Sequence, residues 1–250
     1  MASSVSLPCL EMVQTVCAEQ ALPLPLTLFG NVDTQTVQMR ALLNLEIATV
    51  RKWPDVYWTE LKREWSFTTL AADVQPSNAV PPSTDFDHFI DGTMWDRTLT
   101  RPVVGPISPQ LWEAWKARHV LTYVVFGFIL RGNDFLTAPN PPAGDSVHYE
   151  YISQYCVYSA GTATTPDRQK FEADTDTCIF PTNVIQQGLR WRFLRAKGLD
   201  YSQEYADWIN MLQVEASRTG GMPVISMAGS YNDWLAGPYV PQFNFPGGGP

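Results

Sequence analysis

The segment from Ser146 to Tyr158 constrains the fold more than any other part of the sequence, because its side chains alternate in character. Apolar and aromatic residues occupy every second position along most of it, and polar residues stand between them. Successive side chains of an extended strand point to opposite faces, so the pattern predicts a β-strand with one buried and one exposed face. The buried face comprises Val147, Tyr149, Tyr151, Tyr155 and Val157, and the exposed face comprises His148, Glu150 and Gln154.

Three other stretches in the middle of the chain are also predicted to be strands. They are short apolar runs bounded by residues that favour turns, and loops rich in proline separate them. Two of these loops have the sequences VQPSNAVPPST and LTAPNPPAGDS. The predicted strands cover Glu60–Thr69, Phe86–Ile90 and Leu121–Leu130.

The two ends of the chain carry helical patterns instead. Asp33 is a good N-cap for a helix that continues to about Lys52, where a Trp-Pro pair ends it. Near the other end, Gly198 terminates one helix, and Asp200 with Gln203 resembles a capping box for the next. The short link between these two helices predicts an antiparallel pair. The predicted helices cover residues 8–21, 33–52, 181–197 and 200–219, and a short helix opens at Ser108-Pro109.

These elements predict an α+β fold, with a helical bundle from N- and C-terminal helices, a β-rich insertion, and an extended C-terminal tail. We expect residues 1–60 and 181–220 to form the bundle and residues 61–180 to form the insertion. Residues 221–250 show little helical signal, yet they are apolar and aromatic, unlike a disordered polar tail. We therefore expect this tail to dock on a partner. Its expected anchors are Trp234, Tyr239 and Phe243.

The charge and the cysteines narrow the classes of function. The 250 residues carry a formal net charge of −8, whereas a dedicated nucleic-acid binder shows a basic face or excess. The four cysteines form no CxxC pair and no zinc-ligand spacing, so we expect reduced thiols.

The N-terminal sequence lacks the pattern of a signal peptide, and the longest apolar run, LTYVVFGFIL, is too short to span a bilayer as a helix. These features predict a protein that is made and kept in a reducing cytoplasm.

The stretch DFDHFID, which begins at Asp85, is the best candidate for enzymatic chemistry. In a strand, Asp85 and Asp87 would share one face and His88 would lie on the other. Paired carboxylates can transfer protons or bind a divalent cation, but neither an EF-hand spacing nor a two-histidine motif follows. The chain also lacks a GxSxG motif, a P-loop and a GxGxxG motif. A solvated strand edge is therefore the favoured interpretation, and no catalytic residue, cofactor or metal is predicted.

Tryptophan and arginine are concentrated in two stretches, WDRTLTRPVVGPISPQLWEAW and NVIQQGLRWRFLRAKGL. Both residue types are enriched at protein interfaces. In the first stretch, arginines near Asp96 fit either an internal salt bridge or a contact across a subunit boundary. In the second, Trp191 and Arg195 can form a cation–π contact on a helix that is either buried in the core or faces another subunit. The candidate interface residues are Arg97, Arg101, Trp191, Arg192 and Arg195.

Three stretches together resemble tailed-phage head-to-tail connector proteins: WDRTLTRPVVGPISPQLWEAW, GLRWRFLRAKGLDY and LKREWSFTT. They are similar in particular to the adaptor that docks beneath the portal, known as the tail tubular or tail accessory protein. The resemblance covers most of Leu10 to Thr219 in order. It implies a helical bundle with a β-rich insertion, no catalytic activity, and a homo-oligomeric, commonly dodecameric, ring around the DNA channel.

The resemblance also implies partners and a location. The portal protein would bind on one side and a downstream tail or nozzle protein on the other. Double-stranded DNA would pass through without sequence-specific binding, and no membrane is involved. The expected location is the head-tail junction of the virion, after assembly in the host cytoplasm. Two alternatives stay open: a tail completion or terminator component, and a carbohydrate-binding or carbohydrate-active protein, because exposed tryptophans near carboxylates suit sugars.

Overall fold

The structure is a computed structural model that describes residues 6–53, 58–117, 126–132, 134–159 and 165–218. Its helices begin and end within a few residues of the predicted positions. Among the described helices, none is long and apolar enough to span a membrane. The helices are α1 (Cys9–Glu19), α2 (Thr34–Arg51), α3 (Pro109–Ala117), α4 (Thr182–Ala196) and α5 (Ser202–Arg218).

Local hydrogen bonds and one glycine explain where the helices begin and end. The side chain of Asp33 accepts a hydrogen bond from the backbone N–H of Thr36 at 3.2 Å, which confirms the predicted N-cap of α2. After α4, Gly198 has a φ of +72°, a conformation that suits glycine and ends the helix. Asp200 then accepts a bond from the backbone N–H of Ser202 at 3.0 Å and so fixes the start of α5.

The strands form one large sheet and one small one. They are β1 (Lys62–Thr68), β2 (Phe86–Phe89), β3 (Trp95–Asp96), β4 (Arg101–Val104), β5 (Phe126–Arg131), β6 (Asp134–Ala138), β7 (Ser146–Ser153), β8 (Val157–Tyr158) and β9 (Thr177–Cys178). In the large sheet the strands are hydrogen-bonded in the order β1-β7-β3-β4-β5-β6, and β2 also pairs with β7. The β4–β5 pair is parallel and the other pairs are antiparallel, whereas β8 and β9 pair separately.

The large sheet curls into a half-barrel around an aromatic core. Strand β7 organises it, because β7 pairs with β1 on one side and with β2 and β3 on the other. The rings of Phe128 and Phe135 stack at a centroid distance of 4.8 Å, and Phe89 contacts Tyr149 edge-on at 5.0 Å. We call this buried group the sheet-side core. It includes Val147, Tyr149 and Tyr151 of β7, whose burial the alternation predicted.

A second core lies where the helices meet the end of the sheet. Helix α4 is at its centre and contacts α1, α2 and α5. We call this group the helix-side core, and it contains strand residues as well as helical ones, for example Ile152 of β7 and Val157 of β8. Its helical members include Met12, Leu43, Ile47, Ile185, Leu189 and Leu212.

The predicted fold class is wrong. The chain is a mixed α/β protein dominated by the curled half-barrel sheet, with five helices in the described residues, and not a helical bundle with a β-rich insertion. One reason is that several strands are too short to show any periodicity: β3, β8 and β9 have two residues each. The other reason is that residues of β7 and β8 complete the core of the helices, so the sheet is not a separate module.

Two strand predictions need adjustment. The segment from Ser146 to Tyr158 was predicted as one strand, but it forms two: β7 ends at Ser153, and Val157 and Tyr158 form β8 in the small sheet. Of the strand predicted over Leu121–Leu130, residues 121–125 lie outside the described residues, and the remainder lies in β5. The predicted residue bounds of the three regions stay predictions, and residues 221–250 also lie outside the described part.

Candidate functional site

The loop that follows Trp95 is held by one buried carboxylate. Asp96 is completely buried, and its Oδ1 accepts hydrogen bonds from the backbone N–H groups of Thr98 and Leu99 at 3.0 and 3.1 Å. Its Oδ2 accepts a hydrogen bond from Nε of Arg101 at 2.9 Å. The loop therefore folds around its own acid, and Arg101 forms the internal salt bridge that was one of the two alternatives for it.

Arg101 also reaches a second carboxylate. Its Nη2 donates to Oδ2 of Asp145 at 3.3 Å, and its guanidinium lies 5.0 Å from the ring centroid of Phe126. Burial raises the pKa of Asp145 and the carboxylate of Asp96 raises it further, whereas Arg101 lowers it. One guanidinium thus serves two carboxylates in a site that excludes most water. We call Asp96, Arg101 and Asp145 the sheet-side cluster.

Arg97, in contrast, is exposed and forms a salt bridge with Glu64 of β1. The same oxygen of Glu64 lies 3.2 Å from Nδ1 of His148, and Nε2 of this histidine lies 3.0 Å from Oγ of Ser146. A polar face of the sheet therefore carries a serine, a histidine and a glutamate joined by hydrogen bonds. Sequence reasoning placed His148 on a polar strand face but missed the set, because Glu64 is 84 positions away.

Arg192 is buried in the helix-side core against Glu46 of α2. Its Nε donates to Oε2 of Glu46, and its Nη2 donates to Oγ1 of Thr49 at 2.7 Å. Glu46 is completely buried, and its Oε1 has no hydrogen-bond partner among the described residues. Burial raises the pKa of Glu46, while Arg192 lowers it; the nearby indole of Trp208 also lowers it without reaching hydrogen-bond geometry. We call Glu46 and Arg192 the helix-side pair.

The close approach of α2 and α4 at this pair depends on Gly188. A Cβ atom at position 188 would lie 2.0 Å from Oε1 and 2.1 Å from the carboxyl carbon of Glu46. These separations are far below van der Waals contact, and a fully buried carboxylate has little room to move aside. The side chain of Glu46 therefore fills the space that a side chain at position 188 would need.

Trp191 is buried, yet it supports two exposed tyrosines. The guanidinium carbon of Arg192 lies 4.5 Å from the ring centroid of Trp191, so the observed cation–π contact involves Arg192, whereas the sequence suggested Arg195. The ring of Trp191 also contacts Tyr205 at 5.2 Å and Tyr201 at 6.3 Å. These tyrosines are 41% and 38% exposed.

The turn between α4 and α5 presents an apolar and cationic surface. Leu199 is 55% exposed, and Arg195, four positions earlier in the sequence, is exposed as well. Tyrosine combines a large apolar ring with a hydroxyl that can form a hydrogen bond, which suits contact with another protein. We call Arg195, Leu199, Tyr201 and Tyr205 the α4–α5 patch.

The predicted interface residues fall into distinct groups. Arg97, directly after β3, and Arg195, in α4, are exposed. Arg101, Trp191 and Arg192 contact other residues of the same chain in its interior. The structure therefore does not bring the five residues together into one surface. The predicted tail anchors, Trp234, Tyr239 and Phe243, lie outside the part of the chain that the structure describes.

The stretch DFDHFID does not form the paired-carboxylate face considered from the sequence. Asp85 precedes β2 and is buried, where it accepts hydrogen bonds from the hydroxyl groups of Tyr151 and Ser153. Asp87 points instead to Nδ1 of His88 at 2.7 Å on the surface. In the described residues, no group of three or more His, Cys, Asp or Glu side chains is arranged to hold a metal ion.

An open cleft of about 510 Å³ lies beside β2. Asp87 and His88 are on its wall, together with the apolar side chains of Phe86, Pro106 and Leu130. The wall of the cleft also includes the carboxylate of Asp91, so apolar side chains alternate there with two acids and one imidazole.

All four cysteines are buried and free, which confirms the expectation of reduced thiols. Every one of them belongs to the helix-side core. Burial raises the pKa of Cys9 and of Cys156 to about 12 and that of Cys178 to about 11. Thiols with such pKa values stay protonated and unreactive in the folded protein.

No protein-family model matches the chain, and no curated protein matches it significantly. The assignment of a function therefore depends on the surfaces and clusters described above and on the sequence resemblance.

Proposed function

We propose that the protein is a structural virion component, a ring-forming head-to-tail adaptor that links the portal to the tail around the DNA channel. The observation that carries this proposal is the α4–α5 patch, in which two exposed tyrosines rest on a buried tryptophan. Aromatic rings held by a rigid base are typical of the residues that dominate protein interfaces. Arg195, Leu199 and Tyr201 of the patch also lie within GLRWRFLRAKGLDY, one of the stretches that resemble connector proteins, whereas Tyr205 follows it.

The fold itself does not contribute to this proposal. The resemblance implies a helical bundle, whereas the chain is dominated by a curled sheet. Fold and function are separable, since a contact surface can be carried by different architectures. The proposal therefore depends on the chemistry of the surface and on the three stretches of sequence.

The net negative charge of the chain is consistent with a protein that lines a channel for DNA. A net charge of −8 repels the phosphate backbone, so DNA would move through without adhering. The portal protein, a downstream tail or nozzle protein and further copies of this chain are the proposed partners. The proposed role is not enzymatic, and the proposed location is the head-tail junction.

The contact role of the patch can be tested with a double variant, Tyr201→Ser with Tyr205→Ser. The protein would be mixed with the portal protein from the same genome, and assembly followed by light scattering and negative-stain electron microscopy. We expect the native chain to form rings on the portal, and the variant to bind at least about tenfold more weakly, since loss of hot-spot side chains costs more than about 1–2 kcal/mol.

The matched control is Val32→Ser, because Val32 is 92% exposed and lies before α2, outside the patch. This control should assemble like the native chain. Equal assembly by the double variant would remove the patch from the proposal. Absence of any ring or portal complex from the native chain would contradict the adaptor function itself.

A second experiment tests the C-terminal segment. A chain that ends at Gly221 would be compared with the full chain in the same portal assay. We expect the shortened chain to lose portal binding, since the aromatic anchors Trp234, Tyr239 and Phe243 are removed. Equal binding would leave the segment without a docking role. The position of the protein in purified virions then distinguishes an adaptor from a tail completion or terminator component, and a glycan-binding screen tests the carbohydrate alternative.

A further inference from the structure

We propose that Ser146 is a base-activated nucleophile that accepts an acyl group from small activated aryl esters, with His148 as its base and Glu64 as the residue that positions this base. The reactive set lies on a polar face of the half-barrel. It is separate from the α4–α5 patch, and the proposal does not depend on the adaptor function.

Strand geometry brings the three side chains together. Ser146 and His148 are two positions apart in β7, so both point to the same face of the sheet. In the antiparallel β1–β7 pair, Ser66 is opposite His148, which places Glu64 diagonally across from the histidine on that face. The resulting distances are 3.0 Å from Ser146 Oγ to His148 Nε2 and 3.2 Å from His148 Nδ1 to Glu64 Oε1.

The carboxylate determines the direction of both hydrogen bonds. An ionised Glu64 can only accept, so Nδ1 of His148 must carry the proton that it shares with Glu64. In the neutral imidazole, Nε2 then has a free lone pair and can only accept. The hydroxyl of Ser146 must therefore donate to Nε2, which is the direction that a general base requires.

Two neighbours define the surroundings of this set. Arg97 forms a salt bridge with Glu64, so it holds the carboxylate in place and adds a positive charge at the site. Trp95 is directly opposite His148 in the β3–β7 pair and is 36% exposed. An exposed indole on this face provides an apolar surface for an aryl group, which is why we assign aryl esters as the substrate class.

The acyl transfer uses no component beyond the ester. Oγ of Ser146 attacks the carbonyl carbon, and its proton moves to Nε2 of His148. The bond between the carbonyl carbon and the phenolic oxygen breaks, and His148 returns the proton to the departing phenolate. The products are an O-acylserine at position 146 and one free phenol, and the histidine is neutral again.

The test uses the full chain with p-nitrophenyl acetate as the probe. Release of p-nitrophenol would be followed by absorbance, and the acetylated residue identified by mass spectrometry of peptides. We expect one acetyl group on Ser146. Ser146→Ala should abolish this labelling, and His148→Gln should slow it by about a hundredfold or more, which is the lower end of the contribution of a general base.

Ser66→Ala is the matched control, because Ser66 is also opposite His148 in the strand register, but in the described part of the chain no hydrogen bond joins the two side chains. Its labelling rate at Ser146 should equal that of the native chain. Glu64→Gln tests positioning: the amide can donate to Nδ1 and so favour the unproductive tautomer, and the labelling rate should fall at every pH while the melting temperature stays within a few degrees.

The pH profile adds a readout that a structural role would not change. Labelling of Ser146 should be slower in acidic than in neutral buffer, because a protonated imidazole cannot accept the serine proton. The absence of acetyl-Ser146, or acetylation at Ser146 with a rate that His148→Gln leaves unchanged, would overturn the proposal.

Discussion

The sheet-side cluster and the helix-side pair both place an arginine against buried carboxylate, yet they satisfy the charges differently. On the sheet side, Asp96 accepts two backbone N–H groups in addition to Arg101, and both of its oxygens have partners. On the helix side, Glu46 has one partnered oxygen and one that lacks a partner among the described residues. The first arrangement closes a local loop, and the second joins two helices that are distant in sequence.

This difference indicates what each arrangement contributes. A carboxylate that accepts backbone N–H groups determines a local conformation, because those donors would otherwise need water or another acceptor. A buried ion pair with an unsatisfied oxygen adds little stability compared with an apolar pair of the same volume, but losing one partner is costly. The helix-side pair should therefore be the more sensitive to single substitutions and the more tolerant of a paired replacement.

The largest effect is expected for Arg192→Leu. The substitution leaves the carboxylate of Glu46 buried without its counter-charge, and such losses typically cost about 3–5 kcal/mol of unfolding free energy. Urea unfolding followed by circular dichroism would measure it. The double variant Glu46→Met with Arg192→Leu should recover most of the loss. A single variant that stays within about 1 kcal/mol of the native chain would contradict the argument.

A smaller loss is expected for Asp96→Ala on the sheet side. The variant removes the acceptor of two backbone N–H groups and of Arg101, for an expected cost of about 1–3 kcal/mol in the same unfolding experiment. Asp145→Asn is the comparison within this cluster and should cost less, since burial already raises the pKa of Asp145 toward the neutral form. If Asp145→Asn lowered the free energy of unfolding more than Asp96→Ala, Asp96 would not be the residue that contributes most to the stability of the cluster.

The pH dependence of stability should distinguish Glu46, a buried carboxyl whose pKa is raised, from Asp200, an exposed carboxyl whose pKa is lowered. The pKa of Glu46 is raised above 4.5, its ordinary value. As the pH rises from about 4.5, the unfolded chain loses this proton first, and the free energy of unfolding falls until the folded carboxyl also ionises. The stability of Glu46→Gln relative to the native chain should therefore rise with pH across this range.

Asp200 provides the control of opposite sign. Hydrogen bonds from Ser202 lower the pKa of Asp200 below 3.8 in the folded chain, so its contribution is present above that pH and is lost as the pH falls through the lower folded value. Asp200→Asn should therefore become less stable relative to the native chain as the pH rises. Chemical unfolding at a series of pH values measures both trends, and equal signs for the two variants would refute the assignment.

The smallest expected effect is a change in the rate at which the buried cysteines react with a thiol reagent. All four thiols lie in the helix-side core, so their reaction with a disulfide reagent reports the opening of that core. We expect slow labelling in the native chain, faster labelling in Arg192→Leu, and little change in Asp96→Ala. Equal acceleration by both variants would show that the two cores open together, and that the sheet-side cluster and the helix-side pair do not stabilise separate parts of the chain.

Most features encoded by neighbouring residues were predictable from the sequence, although Trp191 contacts Arg192 and not the predicted Arg195. Features created by distant residues were not predictable. The N-cap at Asp33 and the alternation of β7 depend on residues a few positions apart, and both are confirmed. The curl of the sheet and the meeting of Glu46 with Arg192 depend on segments far apart in the chain, for which periodicity carries no information. The error in fold class has this origin.

The candidate sites follow the same rule. The internal salt bridge of Arg101 was one of two predicted alternatives, because Asp96 is only five positions away. The sequence also placed His148 on a polar strand face, but its partner Glu64 belongs to another strand whose pairing was unknown. The α4–α5 patch required knowledge of exposure, since tyrosines on an amphipathic helix are equally consistent with the core.

The absence of a side chain at position 188 means that positions 46, 188 and 192 cannot be substituted independently of one another. While Glu46 is present, mutation of Gly188 to any larger residue meets the carboxylate, even when the new residue favours helix. Shortening Glu46 first would open the space, but would leave Arg192 without its counter-charge. Homologues of this chain should therefore change positions 46, 188 and 192 as a set, and a lineage that keeps the acid should keep the glycine.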